Sequence, residues 1–125
     1  MTHEHALVAA EAAHCAAEQG KYWELRARLF ANQDKLESSD LSLHAEAAGL
    51  DLRRFRECME SHKHVSVIGN QKAEGIKAGV KITPTFFLGL TEPNQAKVKV
   101  LKTISGAQPY AAFEEAITSL LSFEK

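Results

Sequence analysis

No C-x-x-C pair occurs in this sequence, and cysteine itself is scarce: Cys15 and Cys58 are the only two, 43 positions apart. Dithiol chemistry needs two sulfurs close enough to bond, one of them a stabilised thiolate, and no local pattern here announces it. An excess of one charge is also lacking. The formal net charge of −1 gives no electrostatic case for nucleic acid or an anionic membrane surface. No apolar run approaches the roughly 18 residues that a transmembrane helix needs. The opening Met1-Thr2-His3-Glu4-His5 has neither a basic nor an apolar region, so no secretory signal is expected and the chain is expected in the cytoplasm. There is no glycine-rich phosphate loop, nucleophile elbow or basic-aromatic patch, and no cofactor is expected. In a reducing cytosol, two isolated cysteines read by default as buried free thiols.

What is present is helix-forming sequence. The 125 residues, 45% of them hydrophobic, suit one domain with a core that needs no staple. Residues 2–18 carry seven alanines, which lose no side-chain entropy in a helix; Thr2 is the expected N-cap and Gly20 the stop. A second helix is expected over about 21–31, with Trp23, Leu25, Leu29 and Phe30 as its apolar contacts. Ser38 or Ser39 caps a short helix through Leu41, Leu43, Ala45 and Ala48, ended by Gly49. Asp51 caps another, with Leu52, Phe55 and Met59 at i, i+3 and i+7. A longer helix is expected from about His62 to Ala78.

The character changes at residue 80. Val80 to Leu90 holds Ile82, Thr83, Thr85, Phe86, Phe87 and Leu88, which favour β structure. Residues 91–96 read as a loop and 97–104 as an alternating strand, so the two runs predict a hairpin. Gly106 breaks the second strand, and Pro109 suits the first turn of a closing helix with Tyr110, Phe113 and Ile117.

Chemistry-bearing side chains are few. His3 and His5, and His62 and His64, lie two apart; on a helix such pairs do not share a face. No carboxylate or cysteine near them in sequence completes a metal site, so the expectation is solvated histidines and no metal. Tyr22, Trp23 and Phe30 read as core, and Glu18 as a solvated helix end. Cys15 and Cys58 fall late in their helices, at the wrong end of the dipole to stabilise a lone catalytic thiolate.

Three stretches resemble the DsbA-like family of thiol–disulfide oxidoreductases. They are Cys15-Ala16-Ala17-Glu18-Gln19-Gly20-Lys21-Tyr22-Trp23, then Gly79-Val80-Lys81-Ile82-Thr83-Pro84-Thr85-Phe86-Phe87-Leu88, then Ser105-Gly106-Ala107-Gln108-Pro109-Tyr110. Phe55-Arg56-Glu57-Cys58-Met59 is a weaker fourth match. The resemblance implies an α+β, incomplete thioredoxin-like fold: a helical insertion over 1–79, then a β-hairpin and closing helix over 80–125, within one domain. The family's first β-α-β unit, which carries its C-x-x-C, has no counterpart in these residues. The resemblance therefore implies a catalytically incomplete relative, without catalytic residues of its own. It also implies a cis-proline loop at Thr83 and Pro84 that binds substrate peptide, and a possible structural disulfide between Cys15 and Cys58.

In complete members the strand at Thr85–Leu88 pairs with that first unit. Its edge is then open here, and unpaired strand edges recruit other chains. The expectation is a homodimer through Thr85–Leu88, or a partner chain supplying the β-α-β unit. The alternative to a redox relative is a non-catalytic interaction module that pairs through this edge.

Overall fold

The computed structural model describes residues 3–122. Its elements are α1 (Ala6–Ala17), α2 (Tyr22–Ala31), α3 (Ser38–Ala47), α4 (Leu52–Ser61), α5 (Val65–Lys77), β1 (Thr85–Leu90), β2 (Lys99–Ser105) and α6 (Tyr110–Ser122). This is the mixed α+β order read from the sequence, helices then hairpin then helix. The chain forms two compact units, Met1–Glu74 and Gly75–Lys125, with α5 running across their boundary.

The first unit is a helical cluster around Phe55, Leu25, Leu41 and Cys15, all nearly inaccessible to water. Ala12, Ala16 and Ala45 are fully buried, and their small side chains let the helices approach closely. The N-cap of α1 is His5; Thr2 lies outside the described residues. The helix ends at Ala17, and three residues on Gly20 takes φ 68°, a left-handed conformation that costs a residue without Cβ little. Asp51 caps α4 as expected, its Oδ1 accepting the Arg54 N–H at 3.0 Å.

Several apolar side chains do not lie where sequence alone put them. In α2 the buried stripe is Leu25 and Leu29, one turn apart. Trp23 and Phe30 fall on the opposite side and are 70% and 60% exposed, so they are not core. The Arg26 guanidinium sits over both rings, 5.5 and 4.6 Å from their centroids, and supplies the cover that packing does not. In α3 Leu41 and Ala45 point inward while Leu43, half a turn away, is exposed. The cap of α3 is Glu37, not Ser38 or Ser39: its N–H donates to Asp40 Oδ2 at 3.2 Å. Helix α5 begins at Val65 rather than His62, because His62 adopts a left-handed φ of 50° and closes α4. None of the α5 side chains is buried, although an apolar side was expected.

The second unit is an antiparallel hairpin with α6 packed on it. Strand β1 starts at Thr85, later than the apolar run from Val80 suggests. Its register pairs Thr85 with Ser105, Phe86 with Ile104 and Leu88 with Lys102, then shifts, so Gly89 pairs with Val100 and Leu101 is the extra residue of a bulge. Ile104 and Ala116 are buried, and Phe86 meets Phe113 of α6 edge to face with ring centroids 4.9 Å apart.

Gly89 is required at the bulge by close approach. A Cβ there would collide with the Lys99 carbonyl oxygen and with Val98 Cγ1. Gly89→Ala should loosen the hairpin by about 1–3 kcal/mol. Hydrogen exchange of the β1 and β2 amides checks it, with faster exchange in the variant and little change in α1 and α4.

Candidate functional site

Helices α1 and α4 run antiparallel, and three side-chain links mark the seam between them. Glu11 and Cys15 lie one turn apart on one face of α1, and Gln19 follows four residues on, in the turn just past the helix. They meet His62, Cys58 and Asp51 in turn.

At the first link, the Glu11 carboxylate is 5% exposed and its Oε1 lies 2.9 Å from His62 Nδ1. A buried acid without such a partner would be costly. At the second, Cys15 and Cys58 are joined by a disulfide with Cα atoms 5.8 Å apart. The reading of two free buried thiols is thus corrected: the antiparallel crossing brings the cysteines to bonding distance, which the 43 intervening residues concealed. Closing a loop of that length stabilises by roughly 4 kcal/mol in the chain-entropy model. At the third, Asp51 N–H donates to Gln19 Oε1 at 2.8 Å and Gln19 Nε2 donates to the Asp51 carbonyl at 3.2 Å.

Beside the disulfide lies a small polar cluster. Glu18 Oε1 is 2.6 Å from Lys63 Nζ and 3.1 Å from His64 Nε2. His64 stacks on His14, with centroids 5.2 Å apart and planes 22° from parallel. Hydrogen bonding from Lys63, aided by His64, holds the Glu18 carboxyl below its ordinary value of 4.5. One ligating atom each of Cys15, Cys58 and His64 falls within 4.8 Å of the others.

These positions refine two expectations. His62 and His64 each hydrogen-bond a carboxylate, and they sit in the turn between α4 and α5, where helical face arguments do not apply. Glu18 caps the exposed C-terminal end of α1, as read from the sequence, and is partnered there by Lys63 and His64. Sequence reading missed Glu11; its signal was a carboxylate one turn before Cys15 in an alanine-rich helix.

In the second unit, the Thr83–Pro84 peptide bond is cis. Both residues are exposed at the entrance to β1. The loop is tied down on two sides: Thr85 Oγ1 donates to the Ile82 carbonyl at 2.5 Å, and Gly106 N–H donates to the Pro84 carbonyl at 2.7 Å. Elsewhere, in the first unit, Tyr22, Arg26 and Phe30 help line an open cavity of about 640 Å³.

A family model described as Thioredoxin matches residues 1–117. The Na(+)/H(+) antiporter NhaA 3 of Salinispora tropica is 43% identical over 86 residues, which cover 69% of this chain and 13% of that protein. The Na(+)/H(+) antiporter NhaA 1 of Salinispora arenicola is 41% identical over 86 residues, again 69% of this chain and 13% of the relative. The chain therefore spans only a small part of the relatives it matches. No solved structure matches it significantly.

The depressed Glu18 carboxyl fixes the sign of one pH effect. Its contribution to stability is fully present above pH 4.5 and is lost as pH falls through the lower folded value. Glu18→Gln should therefore lose less stability than the wild type on acidification below pH 4.5. Urea unfolding of both proteins across that range measures it.

Proposed function

The chain belongs to the thioredoxin family, and from that membership we propose that it is a DsbA-like relative of the thiol–disulfide oxidoreductases that serves peptide binding rather than redox turnover. The observation that carries this reading is the Thr83-Pro84 loop. It is exposed, pinned through Pro84 to Gly106, and continuous with β1. An extended peptide laid beside it would meet main-chain groups held at a fixed position and the adjacent Phe86 and Phe87 rings, both about two-fifths exposed. Main-chain pairing supplies affinity in this mode, and side-chain contacts supply selectivity.

The cysteines favour a structural role. Cys15 and Cys58 are buried at 2% and 5% exposure in a helical seam, where a protein disulfide cannot readily approach. The ion exchange named for the antiporter relatives is not part of this reading. The match covers 13% of the first of them, and no helix among the described residues is long and apolar enough to cross a membrane.

A reduced, carboxymethylated insulin B chain is a suitable probe. It should bind the chain, and Pro84→Ala should weaken binding by roughly tenfold, a loss of about 1.4 kcal/mol. The chain alone should not accelerate insulin disulfide reduction. Equal binding by Pro84→Ala, or insulin reduction that disappears in Cys15→Ser, refutes the reading.

A second reading rests on the sheet edge. Among the described residues the sheet has only two strands, so the outer side of β1 has no strand neighbour. With Phe86 and Phe87 beside it, this edge is suited to pairing with the same strand of a second copy about a two-fold axis, giving a homodimer through Thr85–Leu88. Light scattering at micromolar concentration should then give twice the chain mass. A mass of one chain rules the homodimer out.

A further inference from the structure

The disulfide, the histidine beside it and the carboxylate behind that histidine make up more than a staple. We propose that reduction of the Cys15–Cys58 bond converts this cluster into a zinc site, with Cys15, Cys58 and His64 as the protein ligands. The three ligating atoms already lie within 4.8 Å of one another. Ligands of one tetrahedral zinc lie roughly 3.3–3.8 Å apart, given Zn–S near 2.3 Å and Zn–N near 2.0 Å. Once the sulfurs are released, side-chain rotations on the order of an ångström close the set, and the helices that carry the cysteines stay in place.

The surroundings suit the metal. Two thiolates and an imidazole are a donor set that selects zinc over hard cations such as magnesium and calcium. Glu18 holds His64 Nε2 at 3.1 Å and leaves Nδ1 as the nitrogen a metal would take. A carboxylate on the far nitrogen of a ligating histidine fixes its tautomer and raises its basicity. Lys63 in turn orients Glu18. The cysteines are buried and the His64 side chain is 20% exposed, so the ion would be shielded on the sulfur side and open on the histidine side. A water completes the tetrahedron there.

The chemistry balances as follows. An external dithiol gives two electrons and two protons and closes its own disulfide. The Sγ–Sγ bond of Cys15 and Cys58 breaks, leaving two thiols. Zinc then displaces both thiol protons to solvent. In a reducing environment the seam would exchange a covalent link for a coordinate one and keep α1 joined to α4.

The test uses the full chain, oxidised or reduced anaerobically and freed of reductant, with zinc binding measured by competition with a chromophoric chelator. The reduced chain should bind one zinc and the oxidised chain none. Glu18→Gln should weaken binding by about tenfold, and His64→Ala by more. Cobalt(II) should give thiolate charge-transfer bands that Cys58→Ser lacks. Equal uptake by oxidised and reduced chains, or wild-type affinity in His64→Ala, overturns the proposal. If reduction alone melts the helices, zinc is added together with the reductant and helicity is followed by circular dichroism. Helicity kept in the wild type and lost in His64→Ala supports the site; the same outcome in both proteins overturns it.

Discussion

Everything in the helical unit is organised by the antiparallel seam between α1 and α4. A helix returns to the same face about every four residues, so Glu11 and Cys15 lie in line on α1, and Gln19 sits just past its C-terminus. The opposing helix presents His62, Cys58 and Asp51 to that line in reverse order. The central link is covalent and the outer two are hydrogen-bonded, which fixes the axial position of one helix against the other. Ala12 and Ala16 of α1 are fully buried, and their small side chains allow neighbouring helices to approach closely. The Phe55 core depends on that closeness, because a wider seam would admit water beside it.

The polar cluster at the end of the seam follows from the same arrangement. His62 closes α4 in a left-handed conformation, and the turn that follows brings His62 to Glu11 and Lys63 and His64 to Glu18. Two carboxylates of α1 then meet three basic side chains. Glu11 is nearly inaccessible and Glu18 only partly so. The Glu11–His62 pair is therefore one the fold cannot leave unpaired, while the more exposed Glu18 pairs are open to solvent and to pH.

The hairpin unit has a different logic. Its buried residues are few, Ile104 and Ala116 among them, and apolar rings stay partly in solvent. A short sheet of this kind carries its pairing capacity on its edge and its rigidity in its turns. The bulge at Leu101 and the absence of a side chain at Gly89 let the strands approach, and the Gly106 to Pro84 hydrogen bond fixes the loop from which β1 starts.

Much of this was legible in the sequence. Helix positions, the Asp51 cap, the hairpin and the closing helix came from local propensity and periodicity, because those signals act within one or two turns of chain. The outward faces were less legible. Trp23, Phe30 and Leu43 read as core because they are apolar, but the buried stripe of each helix is narrow and packing chose Leu25, Leu29 and Leu41 instead. The family resemblance named Cys15 and Cys58 as a possible pair, but what brings them together, and what pairs Glu11 and Glu18 with His62 and His64, is tertiary structure. Those partners lie more than forty positions apart, and only the crossing of two helices, which no local spacing encodes, brings them within reach.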